Sequence, residues 1–540
     1  SDSGKPYLCN DMHLVLGLPG LWYEMHLSCP DYNTIGATLP GAPMVLAGHN
    51  EKISWGITLA YTDCEDLFIE QFDPEKPEQY KFKNKWEAAQ VIEEVIPIKG
   101  GESHTEKVLI TRPGPVISDV IGASEQRLAV QSMSLRECGA FDGFLSLGKA
   151  KGWDGFVNAV KKINAPQLSI GYADVDGNIG WWATGKLPIR ANGQGMVPNP
   201  GWTGEFEWVG EVPFDMEPHT FNPQKGYVVN CNNQIATEKD YPYFLGTIWM
   251  NGYRARRLSD MIEETAKVSK ETFKKMQTDV TCLPGKEFQK LVTGFDSKSD
   301  AVERAVGALL AWDGVLDVDT VGGTIYEVVR YRLVDNLMRP VLGEEFTKAL
   351  LGHAFNDVIF PDHEFYGNDT QAVFKMLAEG DKSWWVQQAG GKQALLEKSF
   401  TEAVEWLQKT LGAEMSGWKW GRIHNITFGH ALAMQKPLDE IFNRGPYPLG
   451  GDTDTPWQAA MAPGDPYDNK LWAPSVRHIF DTSDWSKSLF TLPAGQSGHV
   501  SSKHYDDMIP NWREGRYLPL NWTREQVEAN LEGKLMLSKE

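Results

Sequence analysis

Short apolar or alternating runs dominate residues 1 to 75: Lys5 to Asn10, Pro43 to Gly48, Ile53 to Thr58 and Leu67 to Phe72. A period of two over four to eight residues predicts half-buried strands. His49-Asn50-Glu51-Lys52 separates two of these runs as a turn, and we read His49 and Asn50 as turn residues rather than chemistry. Trp22 and Trp55 are predicted to pack in this region. Val91, Ile92, Val95, Ile96, Val108 and Ile110 alternate with polar residues, which predicts more sheet. From Lys151 to Ala165 the apolar positions are 153, 156, 157, 160 and 163, a helical stripe. Tyr172 to Trp182 reads as a hairpin with Asp176-Gly177 in a type I′ turn. Asp174-Val175-Asp176-Gly177-Asn178 has some of the spacing of a calcium loop, but the closing Glu is missing, and the turn reading is preferred.

The middle of the chain changes period. Arg257 to Val280, Ala301 to Trp312, Thr324 to Leu342 and Gln393 to Leu411 show three-to-four spacing and predict helices. The remainder returns to strand and loop, rich in Gly, Pro and Trp. No repeat or low-complexity linker interrupts the 540 residues. The pattern predicts one large α+β body, sheet-rich over 1–256, mainly helical as an insertion over 257–412, and strand and loop over 413–540.

Composition narrows the function. Hydrophobic residues make up 41% and charged residues 23%, with 20 Trp, 17 Tyr and 23 Phe, as suits a packed core and aromatic-lined clefts. The formal net charge of -20 argues against a phosphate-tracking nucleic-acid binder and against docking on anionic membranes. No apolar run is long enough for a membrane-spanning helix. The six cysteines, at 9, 29, 64, 138, 231 and 282, form no Cys-x-x-Cys pair, so zinc-ribbon and thioredoxin-like readings lack support. The opening Ser1-Asp2-Ser3-Gly4-Lys5-Pro6 has turn composition and no basic-then-apolar leader.

Five blocks then stand out in order: Asn10-Asp11-Met12-His13-Leu14 with Leu21-Trp22-Tyr23-Glu24-Met25-His26-Leu27; Gly48 to Thr58; Asn230-Cys231-Asn232-Asn233-Gln234 with Asp240-Tyr241-Pro242-Tyr243, Trp249 and Arg254; Trp420-Gly421-Arg422-Ile423-His424 with Arg444-Gly445-Pro446 and Gly450-Gly451-Asp452; and Pro493 to Gly498 with Ser502, His504 to Asp507 and Trp512. Together they resemble the large subunit of the penicillin acylase family of N-terminal-nucleophile hydrolases, over nearly the whole chain. The resemblance implies a four-layer αββα sandwich with helical insertions. It implies hydrolysis of a linear N-acyl amide through a seryl acyl-enzyme, the terminal α-amine serving as base. Penicillin and cephalosporin side chains and N-acyl-homoserine lactones are substrates within that family. His13 where Gln also occurs leans away from the phenylacetyl-specific members.

Carried onto this chain, the family's oxyanion donors fall on the side chain of Asn232 and the backbone N–H of Leu59. Asn232 alone would read as a turn cap, and Asn233 is its nearest rival. His13 falls beside the nucleophile, as an orienting group. Arg254 is implied to hold the Asn loop or the substrate, against the plainer reading of an ordinary ion pair. Asp63, Glu65 and Asp66 match the family's calcium segment, which implies a structural Ca2+, against the plainer reading of surface acidity. No organic cofactor is implied. The implied partner is a small α subunit cut from the same precursor, and the implied location is periplasmic or secreted. Counting back from His13, the catalytic serine is expected about ten residues before Ser1, a distance of roughly 33 Å along a strand. The alternative keeps Ser1 as nucleophile on a shortened hairpin. Two other classes stay open: a catalytically inactive relative acting as a binding protein, and a metal-dependent amidohydrolase, for which no His-Glu-x-x-His motif is present.

Overall fold

A computed structural model describes residues 1–540 apart from 123–124, 238, 357–359, 363–367, 462–466, 470–471 and 539–540. Two antiparallel sheets lie face to face at its centre. The larger has seven strands, in the spatial order His219–Phe221, Ile179–Thr184, Leu168–Asp174, Ile53–Leu59, Ala47–His49, Tyr32–Thr38 and Tyr23–Cys29. The smaller has four, in the order Tyr7–Leu14, Ala473–Asp481, Leu489–Thr491 and Leu518–Pro519. Strand Tyr7–Leu14 therefore pairs with a segment near the other end of the chain, Tyr7 opposite Asp481 and Leu14 opposite Ala473.

Alternation explains the stacking. Leu8, Asn10 and Met12 turn inward while Tyr7, Cys9, Asp11 and His13 turn to the other face, as a period of two requires. Leu8 and Met12 join Val476 and Phe480 in the core cluster, and Gly56 and Gly171 of the large sheet turn toward them, Gly171 facing Leu8, while Trp55 and Ile57 point to the other face of that sheet. Trp22 and Trp55 are both part of it. Helices Ala140–Leu147 and Trp153–Val160 close the outer face of the large sheet, contributing Phe144, Leu147, Phe156 and Val160. Over the small sheet lies helix Lys270–Met276: Phe273 meets the Tyr7 ring edge-on, and Gln277 just after the helix donates to the carbonyls of Asn10 and His478. The order is helix, sheet, sheet, helix, the expected αββα sandwich.

A separate apolar core joins helices Leu283–Val292, Asp300–Ala311, Gly322–Leu350, Thr370–Glu379 and Lys392–Leu411 through Phe288, Leu309, Val329, Leu377, Phe400 and Leu407. The predicted helices over 301–312 and 393–411 match Asp300–Ala311 and Lys392–Leu411 within a residue. The helix predicted over 324–342 matches as well: Gly322–Leu350 is two helices joined at Gly343, whose φ of 73° is not helical, so the first ends at Leu342. Two expectations need correction. The stripe over 257–280 is two helices, Tyr253–Glu263 and Lys270–Met276, because Ser269 caps the second through a box with Thr272. The hairpin tip at Asp176-Gly177 is not type I′, since Gly177 has positive φ and Asp176 does not. Asp174 organises that loop instead, accepting from the backbone N–H groups of Gly177 and Asn178 and from the Tyr172 hydroxyl. That is a turn, as preferred from the sequence.

Candidate active site

Strand Ile53–Leu59 forms one wall. Ala60 N donates to Gln167 O, so the even-numbered backbone groups at this end face strand Leu168–Asp174. The odd-numbered ones face away. There Asn10 takes the place of a neighbouring strand: its Oδ1 accepts from Ile57 N at 3.1 Å and its Nδ2 donates to Ile57 O at 3.0 Å. Gly56 makes room for this, since a Cβ on it would lie 2.8 Å from Asn10 Cβ. Two residues on, the backbone N–H and C=O of Leu59 point the same way, beyond the reach of Asn10.

Asn232 sits at that exit. Its Nδ2 donates to Leu59 O at 2.9 Å and to Thr58 Oγ1 at 2.7 Å. Its φ is 62°, a left-handed conformation that Asn tolerates better than most side-chain-bearing residues. Three groups hold it there. Asn232 N donates to Asn230 Oδ1, and Asn230 Nδ2 donates to Ser169 Oγ in the adjoining strand. Met250 N donates to Asn232 O at 3.0 Å. Arg254, buried in the first turn of helix Tyr253–Glu263, donates through Nη2 to Cys231 O at 2.7 Å and to Asn232 Oδ1 at 3.1 Å. The guanidinium carries only donors, so it must face the amide oxygen. The Nδ2 end is thereby aimed at Leu59.

The structure thus brings Asn232, Leu59 and Arg254 together. Asn233 points elsewhere; its Oδ1 accepts from Cys231 N and its Nδ2 donates to Gln234 O. His13 lies on strand Tyr7–Leu14 just past a register shift at Met12/His13. Its Nε2 is 3.6 Å from Asp11 Oδ1, beyond hydrogen-bonding range, and both atoms are buried without a partner. No hydrogen bond joins it to Asn232 or Leu59 among the described residues. Leu14 and Leu59 are exposed apolar residues on the same strands. Ser1 is exposed, its Oγ bonded to Lys5 O, while Asp2 N donates to Val268 O. Among the described residues it makes no contact with the Asn232 constellation.

His49 and Asn50 are structural. His49 is fully buried, stacked on Trp485 with ring centres 4.3 Å apart, and burial pushes its pKa down to about 3. Asn50 accepts from Lys52 N and Ile53 N and donates to Gly148 O and Ala150 O. The later blocks are also architectural: Trp420 Nε1 donates to Gly451 O, Tyr505 hydroxyl donates to Phe442 O, and Arg444 pairs with Asp506.

Asp63, Glu65 and Asp66 do not form one ligand set. Glu65 opens strand Glu65–Glu70 on its exposed face, while Asp66 is buried on the opposite one. Asp63 and Asp66 both accept from Arg190, which sequence reasoning missed; it ends a three-residue strand, Pro188–Arg190, and lies in no motif. Thr58, Ser169 and Asn230 were also not anticipated. Thr58 and Asn230 lie inside the motif blocks without an assigned role, and Ser169 lies outside them.

Comparison with known proteins agrees with this architecture. The family model for penicillin amidase matches residues 1–529. Acyl-homoserine lactone acylase QuiP of Pseudomonas aeruginosa is 28% identical over 573 residues, which cover 98% of this chain and 66% of that protein. Penicillin acylase 2 proenzyme of a Pseudomonas species is 28% identical, with 98% of this chain and 66% of the proenzyme covered. For penicillin G acylase of Escherichia coli the identity is 27%, over 99% of this chain and 64% of that protein. The chain therefore spans 64–66% of the length of these relatives. In structure it is similar to thermostable penicillin G acylase from Alcaligenes faecalis, with a TM-score of 0.75, 22% identity, and coverage of 99% of this chain and 97% of that one.

Proposed function

The chain belongs to the penicillin amidase family, and from that membership we propose that it is the catalytic part of a hydrolase of linear N-acyl amides. The observation that carries this reading is the Asn232 side-chain amide, oriented by Arg254 and set beside the backbone of Leu59 at the open end of a strand. A side-chain amide beside a backbone N–H, both held on a rigid sheet, supplies the donors a tetrahedral oxyanion needs. Both amide hydrogens of Asn232 are used within the protein, by Thr58 and by Leu59. An incoming oxyanion would replace one of these acceptors, exchanging a neutral hydrogen bond for a stronger, charge-assisted one.

In this reading a serine with a free α-amine attacks the amide carbonyl, the amine takes the hydroxyl proton, and the leaving amine carries it off. Water then releases the acid. The spacing to His13, together with the place of Ser1 in an exposed turn, favours a nucleophile about ten strand residues ahead of Ser1. His13 then stands at the far end of the adjacent strand, placed to orient that serine or a water. The relatives include acyl-homoserine lactone and penicillin acylases, so the proposed substrates are N-acyl-homoserine lactones or penicillin and cephalosporin side chains. The exposed Leu14 and Leu59 suit an apolar acyl group. The proposed partner is a small α subunit from the same precursor. No helix among the described residues is long and apolar enough to cross a membrane; a periplasmic or secreted location is proposed from the family alone.

The direct test is Asn232→Ala in the processed enzyme. We expect an unchanged melting profile and a kcat lower by roughly 100- to 1000-fold. Turnover within a factor of about three of the wild type would remove the oxyanion role. N-terminal sequencing of the mature large subunit separately tests where the nucleophile lies.

A further inference from the structure

A carboxylate pair such as Asp63 and Asp66 invites a cation, and in this fold the cation is already a side chain. Arg190 is buried between the two. Its Nε donates to Asp66 Oδ2 at 2.8 Å and Oδ1 at 3.1 Å, and its Nη2 donates to Asp66 Oδ1 at 2.9 Å and Asp63 Oδ1 at 2.5 Å. The side chains of Arg190 and Asp66 are 4% and 0% exposed. Trp208 Nε1 supplies a further donor to Asp66 Oδ2, at 2.6 Å. Asp66 thus receives four hydrogen-bond contacts, close to the capacity of a carboxylate.

Calcium does not fit this arrangement. It takes six to eight oxygens at about 2.3–2.6 Å, and here guanidinium and indole nitrogens stand where the ion and its other oxygens would be. The Glu65 carboxylate cannot complete the set, because it faces solvent on the other side of its strand. The loop over 193–196 closes the remaining side: a Cβ on Gly195 would fall 1.8 Å from Asp66 Oδ1, so the backbone itself lies against the carboxylate. The Phe244 ring, 5.6 Å from the guanidinium carbon, shields another face.

We propose that Arg190 is the resident counter-cation of the Asp63 and Asp66 carboxylates, in the place that calcium is expected to take, and that this segment is stable without a metal. Arginine suits the task. Its planar fork reaches two carboxylates at once, it keeps its charge when buried, and it sheds water more easily than an ammonium. It also ties parts of the chain distant in sequence, Pro188–Arg190 and the start of Glu65–Glu70. Asp63 is the joint between them and the Asn232 loop, since Asp63 N donates to Leu245 O at 2.8 Å. The inference does not depend on the proposed reaction, because its readout is melting rather than turnover.

The test is calorimetric melting of the processed protein in excess calcium and in excess chelator. We expect the same wild-type Tm in both. Arg190→Gln leaves two carboxylates facing each other without a counter-charge. Its Tm in chelator should be lower by roughly 3–8 °C, and calcium should recover much of the loss. Arg190→Lys keeps the charge without the fork; it should melt between the two with no calcium response, and it decides the matter if Arg190→Gln does not fold. A wild-type Tm that rises with calcium and loses that rise in Asp66→Asn would overturn the proposal. So would an Arg190→Gln protein that melts as the wild type does in chelator. A calcium response that survives Asp66→Asn comes from another site and leaves Arg190 in its place.

Discussion

A side-chain amide donates at one end and accepts at the other, so a partner that grips one end orients both. Arg254 grips the oxygen of Asn232 and thereby aims its nitrogen at Leu59. Arg254→Lys keeps the charge but moves the donating nitrogen away from the place where Nη2 reaches Cys231 O and Asn232 Oδ1 together. We expect kcat to fall by about 10- to 100-fold, the equivalent of one poorly satisfied buried group, with a smaller change in KM. Equal losses in kcat and in thermal stability would instead mark Arg254 as purely structural. Thr58→Val removes a competing acceptor of the amide while nearly conserving shape. It should leave turnover within a factor of about three, since the oxyanion replaces that acceptor in any case. At this scale the sequence was legible where motifs stood in order. Asn232 and Arg254 are 22 residues apart in one recognisable block, and the structure joins them. Arg190 was not legible. It meets Asp66 across 124 residues of chain, and no local spacing encodes a contact between two short strands so far apart.

Strand Ile53–Leu59 needs its exposed edge satisfied, and a single side chain does it. The two Asn10 bonds to Ile57 are the substitute for a missing strand, and they bolt the two sheets together. Asn10→Leu should cost about 2–4 kcal/mol, because a buried N–H and C=O both lose their partner. Gly56→Ala should have a similar effect, as its Cβ would press on Asn10 against a backbone that cannot yield. Chemical denaturation of the two variants checks this; midpoints equal to the wild type's would show that the clamp contributes nothing. Elements were read well where one face was cleanly apolar, as over 301–312 and 393–411. They were read less well where a cap interrupted a continuous stripe, as at Ser269, because periodicity reports which face is buried and not where the hydrogen-bond ladder stops. The Asp176-Gly177 tip misled for a related reason. The dipeptide carries the usual hairpin chemistry, but the Asp174 carboxylate is a stronger local acceptor and widens the loop.

Taken whole, the molecule buries titratable groups of both kinds, and their stability effects run in opposite directions. Burial raises Glu217 to about 8, against the hydrogen bond from Trp182 Nε1, and raises Glu70 to about 7. Groups raised in the folded state contribute most below their unfolded value and lose that contribution as pH climbs through the folded one. Burial lowers His49 to about 3 and His424 to about 4, so their contribution is present above the unfolded value of 6.5 and is lost as pH falls. Below about pH 6.5 the two effects oppose each other; between about 6.5 and 8 the raised carboxyls lose their contribution, and His504, raised by its hydrogen bonds to Asp507 and Glu532, works in the same direction. The Tm should therefore fall across that upper window. Glu217→Gln, which still accepts from Trp182, should flatten the fall; an unchanged slope would show that Glu217 is ionised in the folded protein. The layered sandwich was legible from the family blocks, because their order implies it. Its closure was not legible in periodicity, because that closure is long-range. Ser475 Oγ donates to Met12 O across 463 residues. This has a consequence for biosynthesis. The helices over 283–411 share one core of their own and can collapse as they leave the ribosome, whereas strand Tyr7–Leu14 must wait for Ala473–Asp481 to be made. Until then one face of the large sheet is bare, and the nascent protein stays open to aggregation and to chaperone capture until residues 473–481 have emerged.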